Sequence, residues 1–340
     1  GDETRDRTRG AAQHRGRATE QPLSEAPSQG GGSRREDRVR GPRATIECLE
    51  KGLMTSATLM VPCPWFPEMV SYAKTHPEKD FGLHLTQTSE WRIYRWGPVA
   101  PRSEVPGLID PDGYLWQAVQ QVYAKGTPQE AYVEARAQIR KALAAGVDVT
   151  HLDSHMGTLQ LNAAYVEQYL KLAVEFDLPV RMASQNTLAK MGGPTQRAAF
   201  AAQGIVFPDD FVYEDLQDEP KDVKGYWTRK LASLKPGVTE LFIHAGMATD
   251  ELKAITGSWK TRTEEFEAFT RDPDLKALVE REKIIRIGWR PLRELQRRDR
   301  WFLITPLSVV QREDYSDIEQ RFTNYAHLML DLDKQQLMQR

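Results

Sequence analysis

Cysteine is nearly absent: two residues in 340, Cys48 and Cys63, cannot build a disulfide framework, and their spacing matches no zinc knuckle. Each is expected to be a buried thiol. No apolar run reaches the roughly 18 residues that a membrane-spanning helix needs. Residues 1–30 also lack the apolar core of a secretory signal, so a soluble, cytoplasmic protein is expected. A formal net charge of −2 offers no basic excess, which argues against nucleic acid or an anionic membrane as primary partner. No glycine-rich phosphate-binding signature follows any predicted strand, which removes the usual nucleotide-binding readings of an alternating α/β chain. What is present is enough apolar material, 40% of residues, for a sizeable core in one large domain or two ordinary ones.

Residues 1–43 differ from everything after them. They hold ten arginines and no lysine, no aromatic residue, and only Leu23 and Val39 as large aliphatic side chains. So few apolar groups cannot offset the entropy of ordering the backbone. The segment reads as a disordered basic extension or as non-native coding sequence, such as an out-of-frame translation of a GC-rich start.

From residue 44 the punctuation alternates. Helices are expected ending at Gly52 and over 66–77, 128–146, 161–177, 226–234, 264–272 and 291–298. Strands are expected over 55–61, 80–85, 147–151, 178–182, 239–244 and 284–288. In the helix 128–146, Tyr132, Ala135, Ile139, Ala142 and Leu143 share one face, and Gly146 closes it. Strands alternating with helices imply parallel βαβ units, and the chain is expected to form an α/β fold, a distorted β/α (TIM-like) barrel over residues 44–298. Residues 86–114 form a long loop carrying Trp91, Tyr94 and Trp96; loops of that length in a compact domain are usually functional or disordered, and these aromatics favour function. Residues 299–340 form a C-terminal extension with an amphipathic helix from about 313, which would pack on the barrel or make an oligomer contact, as in a homodimer.

Of the seven histidines, His14, His76 and His327 are expected on the surface or in ordinary packing. His84, His151, His155 and His244 instead fall at or near the C-terminal ends of three predicted strands. In a β/α barrel that rim gathers the loops that carry chemistry. Neutral imidazole is the commonest ligand for a catalytic divalent metal, and a bound metal would lower the pKa of its water and polarise a carbonyl. In HLDSH, strand alternation puts His151 and Asp153 on one face, with His155 in the turn beyond, free to reach over the mouth.

GLHLT (82–86), THLDSH (150–155), ELFIHAG (240–246) and IRIGWRPLREL (285–295), in that order, resemble the YdjC/ChbG carbohydrate deacetylases over roughly residues 44–298. The resemblance implies a distorted β/α barrel that hydrolyses N-acetyl groups of amino sugars such as chitooligosaccharides, using a divalent metal, Mg²⁺ or Zn²⁺. It further implies His84 and His155 as metal ligands and His244 as the group that protonates the leaving amine or steadies the tetrahedral intermediate; Asp153, read from its strand face as a catalytic-site carboxylate, is expected with His151 to orient its neighbours from beneath. Two departures stand out. MGTLQ follows DSH where relatives often carry further histidines. The family's first strand, ending Ala-Asp-Asp-Phe-Gly and supplying a ligand and a base, has no counterpart in GGSRREDRVRGPR; Glu36 and Asp37 lie too close to Ala44 to take those roles.

Three functions remain open from sequence. The chain is a metal-dependent carbohydrate deacetylase, with the loop at 86–114 as a sugar-binding wall; a non-catalytic carbohydrate-binding or scaffold barrel; or a metal-dependent hydrolase acting on a non-sugar amide. An N-acetylated sugar is the expected partner.

Overall fold

The computed structural model describes residues 42–212 and 221–302. The expectations for residues 1–41 and for the extension beyond residue 302 lie outside the described residues. The helices are α1 (Arg43–Lys51), α2 (Phe66–Thr75), α3 (Val119–Lys125), α4 (Pro128–Ala144), α5 (Ala163–Phe176), α6 (Gln185–Lys190), α7 (Gln196–Ala202), α8 (Val223–Ala232), α9 (Asp250–Ile255), α10 (Trp259–Thr270), α11 (Pro273–Arg281) and α12 (Arg290–Phe302). The strands are β1 (Ser56–Leu59), β2 (Asp80–Leu85), β3 (Val149–Ser154), β4 (Asp210–Val212) and β5 (Thr239–Leu241).

Every pairing between these five strands is parallel, as the helix–strand alternation requires. The strands form a three-stranded sheet in the order β1-β2-β3 and a two-stranded sheet, β4-β5. These sheets are small and open among the described residues, and a closed barrel is not what their ladders describe. Two expected strands account for much of the difference. Residues 178–182 form no ladder with β3 beyond a single Leu152–Val180 bridge, and Val180 N donates to Val206 O at 3.1 Å. Residues 284–288 carry no ladder, although Thr55 Oγ1 donates to Ile287 O at 2.7 Å.

Helix α4 shows how local signals and tertiary needs combine. Thr127 and Glu130 form a reciprocal capping box, and Pro128 fills the first turn, where its missing N–H costs nothing. Ala135, Ile139 and Ala142 are buried as expected, but Leu143 is exposed and the buried face is rotated toward Glu134 and Gln138. Those polar side chains are inside because the long loop needs them. Glu134 accepts from the backbone N–H groups of Val99 and Ala100, and Gln138 pairs with both the N–H and the carbonyl of Thr86. Burial pushes the Glu134 carboxyl above its ordinary pKa, against the pull of those hydrogen bonds. A buried acceptor group with its partners in place is stabilising, whereas removing one partner leaves the other unsatisfied.

The main core gathers β1–β3 with α2, α4 and α5 through Phe81, Leu83, Leu85, Ile139, Leu152 and Tyr169. A second cluster joins α8, α10 and α11 around Trp227, Phe269 and Leu278. Cys48 is a buried free thiol whose Sγ lies 2.8 Å from Thr270 Oγ1; Cys63 is free and half-buried. At the lower end of the sheet, Arg290 and Arg293 of α12 bind Asp80 and Asp148, clamping the starts of β2 and β3. No helix among the described residues is long and apolar enough to cross a membrane.

Candidate functional site

Two layers of side chains stack on the inner face of β2 and β3. The register breaks between Phe81 and Leu83, where β3 carries an irregularity, and recovers with His84 opposite Asp153. The lower layer is Gly82, His151 and Trp289. The His151 ring stacks on Trp289 with centroids 4.2 Å apart and planes 7° apart, while Thr150 Oγ1 lies 2.9 Å from its Nδ1. Sealed in this way, His151 has its pKa pushed down to about 3 by burial, so it is a neutral packing residue beneath the site.

The upper layer carries the chemistry. His84 Nδ1 lies 2.6 Å from Asp153 Oδ1, and Asp153 is fully buried. The other carboxylate oxygen accepts from Thr58 at 3.3 Å and pairs with Arg181 at 2.7 Å. Burial alone would raise the Asp153 pKa, but the His84 ring and the Arg181 guanidinium outweigh it and hold the carboxyl well below the usual range. Arg181 also pairs with Glu240 of β5 at 2.7 Å and lies over the rings of Phe211 and Phe242. One buried cation thus ties both sheets to the carboxylate behind His84. Burial lowers the His84 pKa more than Asp153 raises it, which favours the neutral ring with its proton on Nδ1 toward Asp153 and its Nε2 lone pair free.

His155 begins the turn after β3. Its ring centroid is 5.0 Å from that of His84 at 71°, and its Nε2 lies 2.8 Å from Glu90 Oε2. Met156 follows at φ 51° and stands 43% exposed beside the site. A non-glycine residue in that left-handed region is costly and tends to persist where function needs it.

His244 lies past the end of β5, exposed at its rim, with its ring 5.2 Å from Phe242. Crowding by protein, and then the charge of Arg262, hold its pKa below the ordinary imidazole value. Because the residue stays exposed, that shift reflects a crowded rim rather than a sealed interior.

The structure therefore brings His84, Asp153 and His155 together directly, while His244 stands past the end of β5 against Phe242. Asp153 is walled in by His84, Thr58 and Arg181, so it acts through His84 and has no open face for a substrate. Sequence reasoning missed Glu90, Arg181 and Glu240. The chain carries a signal for each only in hindsight: an acidic residue in an aromatic-rich loop, and charges inside the apolar runs LPVRM and TELF.

The two imidazoles fit the donor chemistry of a divalent metal. Among the described residues, however, no group of three His, Cys, Asp or Glu side chains converges to hold one. The described residues supply a pair of donors and no complete centre. The loop at 86–114 is ordered more by packing than expected of a sugar wall: Trp96 is 3% exposed, and both its Nε1 and that of Trp116 donate to backbone carbonyls. Trp96 instead backs His155, with ring centroids 6.4 Å apart.

A family model described as YdjC-like protein matches residues 41–281. A carbohydrate deacetylase of Thermoanaerobacter pseudethanolicus is 25% identical over 243 residues, covering 72% of this chain and 90% of that protein. A carbohydrate deacetylase of Brevibacillus brevis is 37% identical over 136 residues, 40% of this chain and 51% of that protein. A crystal structure from Enterococcus faecalis, named as a proposed cellobiose-phosphate cleavage protein, superposes with a TM-score of 0.62 at 25% identity, covering 74% of this chain and 93% of that one.

Proposed function

Since the chain belongs to the YdjC-like protein family, we propose that it is a carbohydrate deacetylase that hydrolyses the N-acetyl group of an amino sugar, of the chitooligosaccharide type, to a free amine and acetate. The observation that carries this is the pairing of His84 and His155, 5.0 Å apart at the ends of adjacent parallel strands, with Asp153 behind one and Glu90 beside the other. The relatives named as carbohydrate deacetylases support the substrate class. The two open sheets are read as arcs of one distorted β/α barrel, joined through Arg181.

A divalent metal, Mg²⁺ or Zn²⁺, belongs to the proposal, with His84 and His155 as its protein donors. When bound, such an ion would polarise the acetyl carbonyl and ease ionisation of a water. The chain's own residues do the rest. Asp153 holds His84 in one tautomer and one orientation. Arg181 keeps that carboxylate ionised, so it accepts rather than donates. His244, as a neutral ring, offers a ring N–H to the oxygen that gains charge as the carbonyl becomes tetrahedral.

A second reading, sugar binding without turnover, is favoured by the missing third donor among the described residues. The two are separated by measuring acetate release from N-acetylglucosamine oligomers with Mg²⁺ or Zn²⁺, with and without a chelator. Chelator-sensitive release supports the deacetylase; chelator-independent sugar binding with no release supports the second reading.

A further inference from the structure

Glu90 leaves a segment that is fixed in place. Thr88 and Ser89 are fully buried. Ser89 N donates to Trp116 O at 2.7 Å, Trp96 N donates to Ser89 Oγ at 3.0 Å, and Trp96 Nε1 donates to Thr88 O at 2.9 Å. The chain emerging from Ser89 therefore presents the Glu90 side chain at one point of the rim, where it is 23% exposed and Oε2 meets His155 Nε2 at 2.8 Å. An ionised carboxylate can only accept, so the proton of this bond sits on His155 Nε2. A neutral ring then carries its lone pair on Nδ1.

His84 has the opposite arrangement. Its Nδ1 faces Asp153 at 2.6 Å, which leaves the lone pair on Nε2. Each imidazole is thus held by its own carboxylate, Asp153 from the strand layer and Glu90 from the loop, 65 positions before His155. The Trp96 ring, against the same His155, restricts its tilt.

We propose that Glu90 is a positioning residue of the site: by accepting from His155 Nε2 it fixes that ring in the tautomer whose free lone pair is on Nδ1. The consequence for turnover rests on the deacetylase reading above; the tautomer itself does not. Glu90 thereby does for His155 what Asp153 does for His84, and the loop at 86–114 takes part in the site through a carboxylate rather than through its aromatic faces.

The test is long-range ¹H–¹⁵N NMR of the metal-free full chain with ¹⁵N-labelled histidine, with the His155 signals assigned by their loss in His155→Gln. The wild-type ring should show the Nε2–H tautomer. Glu90→Ala should mix the tautomers, and Glu90→Gln, whose amide oxygen still accepts, should keep the wild-type pattern. Loss of a partner that orients such a histidine typically lowers activity roughly 10- to 100-fold, so Glu90→Ala should lower kcat by that factor with KM little changed, and Glu90→Gln should recover part of it. A wild-type His155 in the Nδ1–H tautomer, or an unchanged tautomer in Glu90→Ala, overturns the proposal. Absence of acetate release in every variant, with the tautomers as stated, would overturn the deacetylase reading and leave the assignment of Glu90 standing.

Discussion

Gly82→Ala probes the layer beneath the site. Gly82 lies in β2 two residues before His84, and its position needs no left-handed backbone, so space is the only reason for a glycine there. A Cβ at this position would lie 2.6 Å from both Nδ1 and Nε2 of His151. Ordinary contact needs about 3.5 Å, so the ring would have to give way by close to 1 Å. It cannot do so freely, because it is stacked on Trp289 at 4.2 Å and held by Thr150 at 2.9 Å. Overpacking of this kind costs about 1–3 kcal/mol, offset by up to about 1 kcal/mol from the reduced freedom of the unfolded chain. The expected net loss is about 1–2 kcal/mol, read as a lower urea midpoint at unchanged slope. His151→Ala removes the obstacle, so the double variant should show a coupling energy of about 1 kcal/mol or more. A Gly82→Ala protein within about 0.3 kcal/mol of wild type, or strict additivity in the cycle, would refute the layered packing.

Other expectations follow from the buried charges. His151 titrates near 3 when folded and near 6.5 when unfolded. The unfolded chain therefore binds more protons between those values, and its contribution to stability is complete above about 6.5 and lost as pH falls. Moving from pH 7 to pH 5 should cost about 2 kcal/mol from this ring alone, with His84 acting in the same direction. Urea titrations of wild type and His151→Gln should differ in slope against pH, and parallel curves would contradict the burial of that ring. Arg181→Met would leave Asp153 and Glu240 without the cation between them, and breaking a buried pair in this way costs about 3–5 kcal/mol. Adding Glu240→Gln should return part of that loss; no recovery would mean that Glu240 does not depend on Arg181.

What could be read from the chain depended on how local the cause was. Helix α4 was legible because Thr127, Pro128 and Glu130 write its start within four residues. β2 and β3 were legible from short β-rich runs between helices, and β3 runs three residues further than expected, to Ser154, which brings Asp153 inside the strand with His151. Helix α11 was missed although Asp272 caps it and Leu275, Leu278 and Val279 form its buried face. Its nine residues are too few for periodicity to stand out. The runs at 178–182 and 284–288 have strand composition, but pairing is a tertiary property and their ladders are one bridge and none. At the site, His84 and His155 were found because each ends a recognisable strand. Glu90 and Arg181 were not, because their partners lie 65 and 59 positions away. Within the expected aromatic sugar wall Trp96 is buried, in a loop whose closure on Glu134 and Gln138 no local pattern announces.

The central claim is that His84 and His155, each held by a carboxylate, form the working centre of a carbohydrate deacetylase. Its most direct test is acetate release from N-acetylglucosamine oligomers with added Mg²⁺ or Zn²⁺, comparing wild type with His84→Gln and His155→Gln proteins of matched urea stability. The expected result is release by the wild type and a loss of at least about 100-fold in kcat/KM in each variant, on the order of 2.7 kcal/mol of transition-state stabilisation. Wild-type turnover that survives both substitutions would contradict the assignment of the site.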